Sequence, residues 1–412
     1  MANTTIYPYG PGGSLPASIG IINDLITGGA DKALSAEMGK VLGQRQGDPV
    51  DILSDLEIKD DEENVLVQFK DGHIRTKNFD SAALGEVQLP AYWKTYLDTK
   101  LPSIKSDYLS LGGNGVAFSF VTDTHWDDNQ KKSPLVIKYL QDKVGITDCI
   151  CGGDIITAHG TRSDKLTEMY GFMDAMRPVS PYVLVGNHDY NTSDQTTSQS
   201  TYLTDPNLIS PGEFYRICSV PKEKVVHYTR VEVSGQFDEY FGYADNDSQK
   251  IRYIFLDSGA VYKPNWADTN LRLSNDQVNW MKDRITELPV GWGVIVFTHI
   301  FFQPGNTVTT HGIGTQIETA LDSIYDTANA TIVGVICGHV HQSASKTSSK
   351  GYPIIATTTD SAGQINRESL TYTPGTSSEQ AFDIYYINTN LRTIKVTRIG
   401  AGDTVKDRTF NY

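Results

Sequence analysis

The feature that most constrains this chain recurs from Val116 onward: a short apolar segment that ends in polar or ionisable residues. Six segments have this form, at 115–123, 146–154, 181–189, 251–259, 291–299 and 330–341. Stretches whose apolar residues have helical spacing lie between some of them, at 133–144 and 165–176. Strands that alternate with helices predict an α/β (α+β) architecture, in which the polar strand ends meet in space.

Composition limits the classes of function. The chain has 412 residues, of which 39% are hydrophobic, and its formal net charge is -14. This apolar share is enough for a folded core, and the length predicts two or three domains. The negative net charge argues against a protein whose main role is to bind duplex nucleic acid. No apolar run is long enough for a membrane helix. We therefore expect no membrane insertion, and the composition disfavours a nucleic-acid partner.

The strand ends carry a particular set of residue types. Five of the nine histidines lie there, in the patterns D-x-H at 123–125, G-D at 153–154, G-N-H-D at 186–189, a single histidine at 299, and G-H-x-H at 338–341. One histidine after a strand is usually a core imidazole, but five of them with two aspartates and an asparagine need another explanation. Because residues i and i+2 of a strand project to the same side, D-x-H and H-x-H can each direct two ligands into one cleft.

Imidazole, carboxylate and amide oxygen are ligands that suit Mn, Fe or Zn. The lack of thiolates in the clusters argues against a closed structural zinc site. Seven ligands exceed what one ion needs, but two ions about 3.5 to 4 Å apart that share a carboxylate would use them all. The sequence therefore predicts a dinuclear metal site. Cys149 and Cys151, which alternate in a strand-like run, are predicted to be buried side chains.

The order of these motifs closely resembles the calcineurin-like metallophosphoesterase superfamily, over roughly residues 115–400. The resemblance implies a four-layer αββα sandwich, which we place at residues 115–412. It also implies that one metal ion is held by Asp123, His125, Asp154 and His341. The second ion would be held by Asp154, Asn187, His299 and His339, so that Asp154 bridges the two ions.

The same resemblance implies a mechanism. His188 matches the family's catalytic histidine, which stabilises the transition state or protonates the leaving oxygen, and Asp189 would orient its imidazole. The nucleophile would be a hydroxide that bridges the two metal ions and attacks phosphorus in line. The sequence does not distinguish a phosphomonoesterase from a phosphodiesterase.

Four further residues near these motifs have two interpretations each. Trp126 could stack on a substrate ring or pack inside the domain. His159 and Tyr190 could contact a phosphate or be ordinary neighbours of the motifs. His311, in a stretch rich in glycine and threonine, could line the cleft or lie in a solvated loop, and we expect the loop.

The first 114 residues lack the alternation of apolar strands and helices that characterises the rest of the chain. We predict an N-terminal anchor or attachment segment at 1–47, with a short helix at 31–44, and a small shaft or oligomerisation region at 48–114. The second region should contain a hairpin at Asp71-Gly72 and an amphipathic helix at 90–104. The segment at 22–44 resembles a short sequence of tail-fibre and appendage proteins from phages and prophages of Bacteroidales bacteria. That resemblance implies a commonly trimeric anchor that presents a C-terminal head.

These observations favour a dinuclear phosphoester hydrolase on a virion, in a phage tail or appendage. Its partners would be other tail proteins and a phosphodiester-containing polymer of the host surface, such as a glycan. Two alternatives stay open: a receptor-binding virion protein that uses the same fold for recognition, and an ordinary bacterial phosphohydrolase or nuclease. In the bacterial case we expect the cytoplasm, or the cell surface by a non-Sec route, because the N-terminus lacks the features of a signal peptide.

Overall fold

The structure is a computed structural model, and it describes twelve stretches of the chain. These are residues 55–59, 65–70, 73–76, 89–126, 132–191, 205–218, 227–231, 239–259, 272–303, 309–360, 368–403 and 408–412. The chain divides into two compact units, Met1–Gln88 and Leu89–Tyr412. The predicted anchor at 1–47 and its helix at 31–44 lie outside the described residues.

The first unit contains a three-stranded antiparallel sheet. Its strands are β1 (Asp55–Lys59), β2 (Val65–Lys70) and β3 (His73–Thr76), in that order. Lys70 at the end of β2 is paired with His73 at the start of β3. This register confirms the hairpin that the Asp-Gly pair between these strands predicts.

The second unit is built on two large sheets. The six-stranded sheet contains, from edge to edge, β18 (Arg408–Asn411), β17 (Thr393–Gly400), β16 (Ala381–Asn388), β4 (Gly115–Val121), β5 (Asp148–Cys151) and β6 (Tyr182–Val183). The seven-stranded sheet contains β14 (Ala344–Thr347), β15 (Pro353–Ala356), β13 (Thr331–Cys337), β10 (Gly293–Phe297), β9 (Ile251–Phe255), β8 (Glu239–Asn246) and β7 (His227–Val231). A short pair, β11 (Phe302–Gln303) and β12 (Thr309–Thr310), forms a separate two-stranded sheet.

Six α-helices are described in this unit. They are α1 (Ala91–Ser110), α2 (Ser133–Val144), α3 (Arg162–Met176), α4 (Pro211–Cys218), α5 (Asn275–Thr286) and α6 (Gly312–Ile324). Side-chain caps fix where α3 and α5 begin, because Thr161 and Ser274 each accept a hydrogen bond from a backbone N–H of the first turn. Among the described residues, no helix is long and apolar enough to cross a bilayer.

Alternating side chains of the central strands show how the layers stack. On β4, Phe118 and Phe120 belong to a buried cluster shared by both sheets, while Val121 faces the helices of the six-stranded sheet. On β10, Phe297 lies in the shared cluster and Val296 faces α5 and α6. Because each sheet is thus covered on both faces, the unit is a four-layer αββα sandwich, as the motif resemblance implies.

Helix α1 corrects the predicted boundary at residue 114. It is longer than the predicted 90–104, and it packs into the core of the second unit through Trp93, Leu97 and Ile104, each at most 1% exposed. The indole N–H of Trp93 donates to Glu379 Oε1 at 2.9 Å. Because this helix buries its apolar face against the sandwich, the second unit begins at Leu89 and not at residue 115.

Candidate metal centre

The predicted ligands follow the carboxyl ends of parallel strands in both sheets. Asp123 and His125 follow β4, Asp154 follows β5, and Asn187 and His188 follow β6, and these three strands are parallel neighbours. His299 follows β10, while His339 and His341 follow the adjacent parallel strand β13. Strand ends of the two sheets therefore supply one cluster, as expected for an α/β fold.

The first group of donors combines Asp123, His125 and His341. The Nε2 atoms of His125 and His341 lie 3.3 Å apart, and His341 Nε2 lies 3.2 Å from Asp123 Oδ1. Two ligands that are each about 2.1 Å from one ion lie roughly 3 to 3.5 Å apart, so these distances fit a shared cation.

The second group combines Asp154, His299 and His339. His299 Nε2 lies 3.1 Å from Asp154 Oδ2 and 3.9 Å from Asp123 Oδ1, so the two groups are adjacent. The other ring nitrogen of His299, Nδ1, lies 2.7 Å from the carbonyl oxygen of Gly152, which fixes the ring with Nε2 toward the carboxylates. Asn187, the predicted additional ligand, is half-buried at the end of β6.

Three of the donors, His125, His339 and Asp123, have the protonation state that a bound cation needs, whereas His299 must release a proton to bind one. Burial lowers the pKa of His125 to about 3 and that of His339 well below its ordinary value, so both rings are neutral, as metal ligation requires. Although burial opposes ionisation of Asp123, His299 and His341 hold its pKa down at about 2. Burial likewise opposes the charge on His299, but Asp154 and Asp123 raise the pKa of that ring to about 9. This donor set of nitrogen and oxygen atoms fits Mn, Fe or Zn.

The backbone at the site is in a rare conformation. Eleven non-glycine residues among those described have a positive φ, and five of them are predicted ligands: Asp123, His125, Asp154, His339 and His341. Two glycines make the close approaches possible. A Cβ on Gly186 would lie 2.2 Å from Asp154 Oδ1, and one on Gly338 would lie 2.7 Å from Asp123 Oδ2. The glycines beside the ligands are therefore required by space.

Two threonines that sequence reasoning missed hold Asp123. Thr122 Oγ1 donates to Asp123 Oδ2 at 2.8 Å, and Thr359 Oγ1 donates to the Asp123 carbonyl oxygen at 2.8 Å. The backbone N–H of His339 adds a third contact to the same carboxylate at 3.0 Å. Thr122 could have been suspected because it precedes Asp123. Thr359 gives no such signal, since it lies 236 residues away in sequence.

His188 is placed beside the bridging candidate Asp154. Its backbone N–H donates to Asp154 Oδ1 at 2.8 Å, and its Nε2 lies 3.8 Å from Asp154 Oδ2. Its Nδ1 accepts a hydrogen bond from the backbone N–H of Ala158 at 3.3 Å. Burial lowers the pKa of the ring, so the neutral form dominates, and an acceptor at Nδ1 assigns the proton to Nε2.

Asp189 does not have the predicted contact with the His188 ring. Its Oδ1 accepts the backbone N–H groups of Ile155 and Ile156, and its Oδ2 accepts those of Asp154 and Gly186. The side chain is fully buried and joins the loop after β5 to the loop after β6. Because its carboxylate accepts four backbone N–H groups, Asp189 positions these two loops. The His188 imidazole is instead oriented by the backbone N–H of Ala158.

The four other residues with two interpretations now have places. Trp126 packs edge-on against Phe172 with ring centroids 5.6 Å apart, and the Tyr190 hydroxyl donates to Asp257 Oδ2 at 3.1 Å. His311 is buried, and its side chain caps α6, so the expected solvated loop is wrong there. His159 is exposed beside His188. The two strand cysteines are buried, as predicted.

The architecture and the ligand order agree with a match to a known family. The model of the calcineurin-like phosphoesterase family matches residues 117–343, which is more than half of the chain. The chain belongs to this family. A stretch of 57 residues is 37% identical to "Putative phosphoesterase 244L" of Invertebrate iridescent virus 6 and covers 13% of this chain. The match spans about 20% of the length of that viral relative.

The solved structures that are similar to this chain include two phosphatases. A dimetal phosphatase from Danio rerio is 16% identical with a TM-score of 0.47, over 73% of this chain and 99% of that one. A phosphatase from Mycoplasma pneumoniae is 13% identical with a TM-score of 0.33, over 71% of this chain and 95% of that one. At these identities the likeness concerns the fold alone.

Proposed function

We propose that this calcineurin-like phosphoesterase hydrolyses phosphoesters with two metal ions. The observation that carries the proposal is the adjacency of two donor groups, Asp123 with His125 and His341, and Asp154 with His299 and His339. Two ions that share a carboxylate lie close enough together to stabilise both the attacking and the leaving oxygen of an in-line displacement. We assign Asp154 as the shared ligand, because its Oδ2 lies 3.1 Å from His299 Nε2 in one group and its carbonyl oxygen accepts the backbone N–H of His125 in the other group at 3.0 Å.

In this proposal Asn187 completes the second ion's ligands. Two bound ions would lower the pKa of a water molecule, to supply the nucleophile at neutral pH, and would offset charge on the phosphoryl oxygens. Metal identity among Mn, Fe and Zn follows from availability as much as from these ligands. The chain itself contributes ligand orientation, through Thr122, Thr359 and the Gly152 carbonyl.

His188 is the proposed catalytic histidine. Because Nδ1 accepts from Ala158, the ring presents an Nε2 proton at the mouth of the site. That N–H can donate a hydrogen bond to a phosphoryl oxygen or to the leaving oxygen, and so stabilise the negative charge that develops there as the bond to phosphorus breaks. Fixing of the His188 backbone to Asp154 keeps this donor at a constant distance from the metal ligands.

We further propose that the enzyme is carried on a phage tail or appendage and cleaves phosphodiester links in a host surface polymer. The resemblance of residues 22–44 to tail-fibre proteins supports this setting, and the viral relative is compatible with it. The N-terminal segment would bind other tail proteins and associate as a trimer. The net charge of -14 makes a nucleic acid the less suitable polymer.

The test uses the full chain loaded with Mn²⁺ and matched chromogenic phosphate monoester and diester substrates. His188→Ala should bind metal normally and lose at least about 100-fold of kcat, the usual effect of removing a hydrogen-bond donor to the transition state. His73→Ala, in the first unit, is the control for the loss of a histidine. Diester turnover lost only in His188→Ala supports the proposal, whereas a fully active His188→Ala contradicts the mechanism.

The virion setting needs separate measurements. Sedimentation equilibrium of the full chain should give three copies, and the loaded protein should release phosphorylated fragments from host surface polymer. Binding to host cells without fragment release by any metal-loaded form would favour the receptor-binding alternative. A monomer that acts only on soluble metabolite esters would favour the ordinary bacterial hydrolase.

A further inference from the structure

A second histidine stands beside His188 at a position outside the metal-ligand motifs. His159 is exposed, and its ring centroid lies 6.2 Å from that of His188 with the ring planes at 82°. His159 is thus an exposed imidazole at the edge of a buried metal centre, and its ring contacts that of His188, the proposed catalytic histidine.

The backbone holds His159 in an uncommon conformation. Its φ is 73°, in the left-handed region that side-chain-bearing residues rarely adopt. Seven of the eleven described non-glycine residues with positive φ belong to this site: the five ligands named above, His159 and Asn191. Such conformations persist where surrounding contacts enforce them, and they are concentrated at functional sites.

Contacts on both sides keep this conformation in place. Before His159, the Ala158 N–H donates to His188 Nδ1. After it, Gly160 is paired with the buried side chain of Asn191: the Gly160 N–H donates to Oδ1 at 3.2 Å, and Nδ2 donates to the Gly160 carbonyl at 2.9 Å. The side chain of His159 is therefore presented from a segment that is anchored at its two neighbours.

We propose that His159 binds the leaving-group side of the substrate, and that this group is a polyol or sugar that carries hydroxyls. This inference rests on the proposed phosphoester hydrolysis. A phosphoester held at the donor groups presents its leaving oxygen to His188, so atoms beyond that oxygen reach His159 next. An exposed imidazole can donate to and accept from hydroxyls, which a polyol supplies and a nitrophenyl group does not.

Equilibrium binding tests this placement without turnover. Calorimetry on the Mn²⁺-loaded full chain would compare inorganic phosphate with glycerol phosphate, which adds only the polyol. His159→Ala should weaken glycerol phosphate about five- to tenfold and leave inorganic phosphate within about twofold, with unchanged metal content and Tm. His159→Gln, which keeps a hydrogen-bond donor and acceptor, should restore part of the loss, and His73→Ala should change neither.

Each other outcome overturns the inference. Equal weakening of both ligands would place His159 on the phosphate, and no weakening of either would remove it from the binding site. In kinetics with glycerol-linked phosphodiesters, His159→Ala should raise KM about tenfold and keep kcat within about twofold. A fall in kcat with KM unchanged would make His159 a positioning residue for His188. Failure of the proposed function can be distinguished from failure of this inference, because in that case the wild-type protein also fails to turn over substrate.

Discussion

The backbone N–H of His188 donates to Asp154 Oδ1 at 2.8 Å, so the proposed catalytic histidine and the proposed bridging ligand are fixed to one another. The other oxygen of Asp154 lies 3.1 Å from His299 Nε2. The Asp154 carboxylate thus contacts His188, which follows a strand of the six-stranded sheet, and His299, which follows a strand of the seven-stranded sheet. Any change to Asp154 should therefore be felt both in metal binding and in the placement of His188.

Replacement of Asp154 by asparagine should lower metal occupancy at both positions, because a neutral amide is a weaker ligand and one side chain serves two ions. We expect metal content to fall from about two ions per chain to below one by elemental analysis. Asp148→Asn, at the other end of β5, is the matched control and should retain both ions. Unchanged metal content in Asp154→Asn would refute the bridging assignment.

Replacement of Asp189 by asparagine should destabilise the fold. Burial raises the pKa of this carboxyl, while its four amide donors favour the charged form. An asparagine would turn an NH₂ group toward two of those N–H groups, at a cost of about 2 to 4 kcal/mol in the free energy of unfolding. Urea unfolding measures this. Wild-type stability with a shifted pH–rate profile would instead restore the predicted role in orienting His188.

Chelation should make stability depend on pH through His299. In the metal-free protein its pKa is raised from 6.5 to about 9, so its stabilising contribution is complete below pH 6.5 and is lost as pH rises through 9. Between pH 6.5 and 9.5 the free energy of unfolding should therefore fall by about 3 kcal/mol. Chelated His299→Gln should show a smaller fall, and an equal fall in both proteins would exclude His299 as its source.

Helix α1 should be necessary to the catalytic unit. Trp93→Ala removes a fully buried indole and its bond to Glu379, and it should cost about 3 to 5 kcal/mol in the free energy of unfolding. Leu109→Ala, on the same helix but 73% exposed, should change stability by less than about 0.5 kcal/mol. Similar changes in both variants, measured by urea unfolding, would mean that the buried face of α1 does not stabilise the unit through packing.

The strands and their ligands could be predicted because the information is local. Short apolar runs identify β4 and β10, and the polar residues at their ends are adjacent in sequence to those strands. Parallel strands then bring the ends together without further information. Helical spacing of apolar residues is also local information, and for this reason the predicted helix at 133–144 coincides with α2.

What could not be predicted depends on distant partners. Trp93 and Glu379 are 286 residues apart, so nothing near residue 90 indicates that α1 belongs to the sandwich. The sequence places Asp189 beside His188, but the side chain turns toward amides of the preceding loop. Adjacency in sequence identified the polar residues at the strand ends correctly. It misassigned the Asp189 carboxylate, because the direction of this side chain is set by backbone N–H groups that sequence patterns do not reveal.

All four cysteines, Cys149, Cys151, Cys218 and Cys337, are buried in the described structure, and burial raises the pKa of the last three thiols well above the ordinary range. Thiolates are the reactive form, so the folded chain should resist alkylating reagents in water. An introduced exposed cysteine would then be the first site labelled. His159→Cys would place a fluorophore or spin label at the mouth of the site without any background from native thiols.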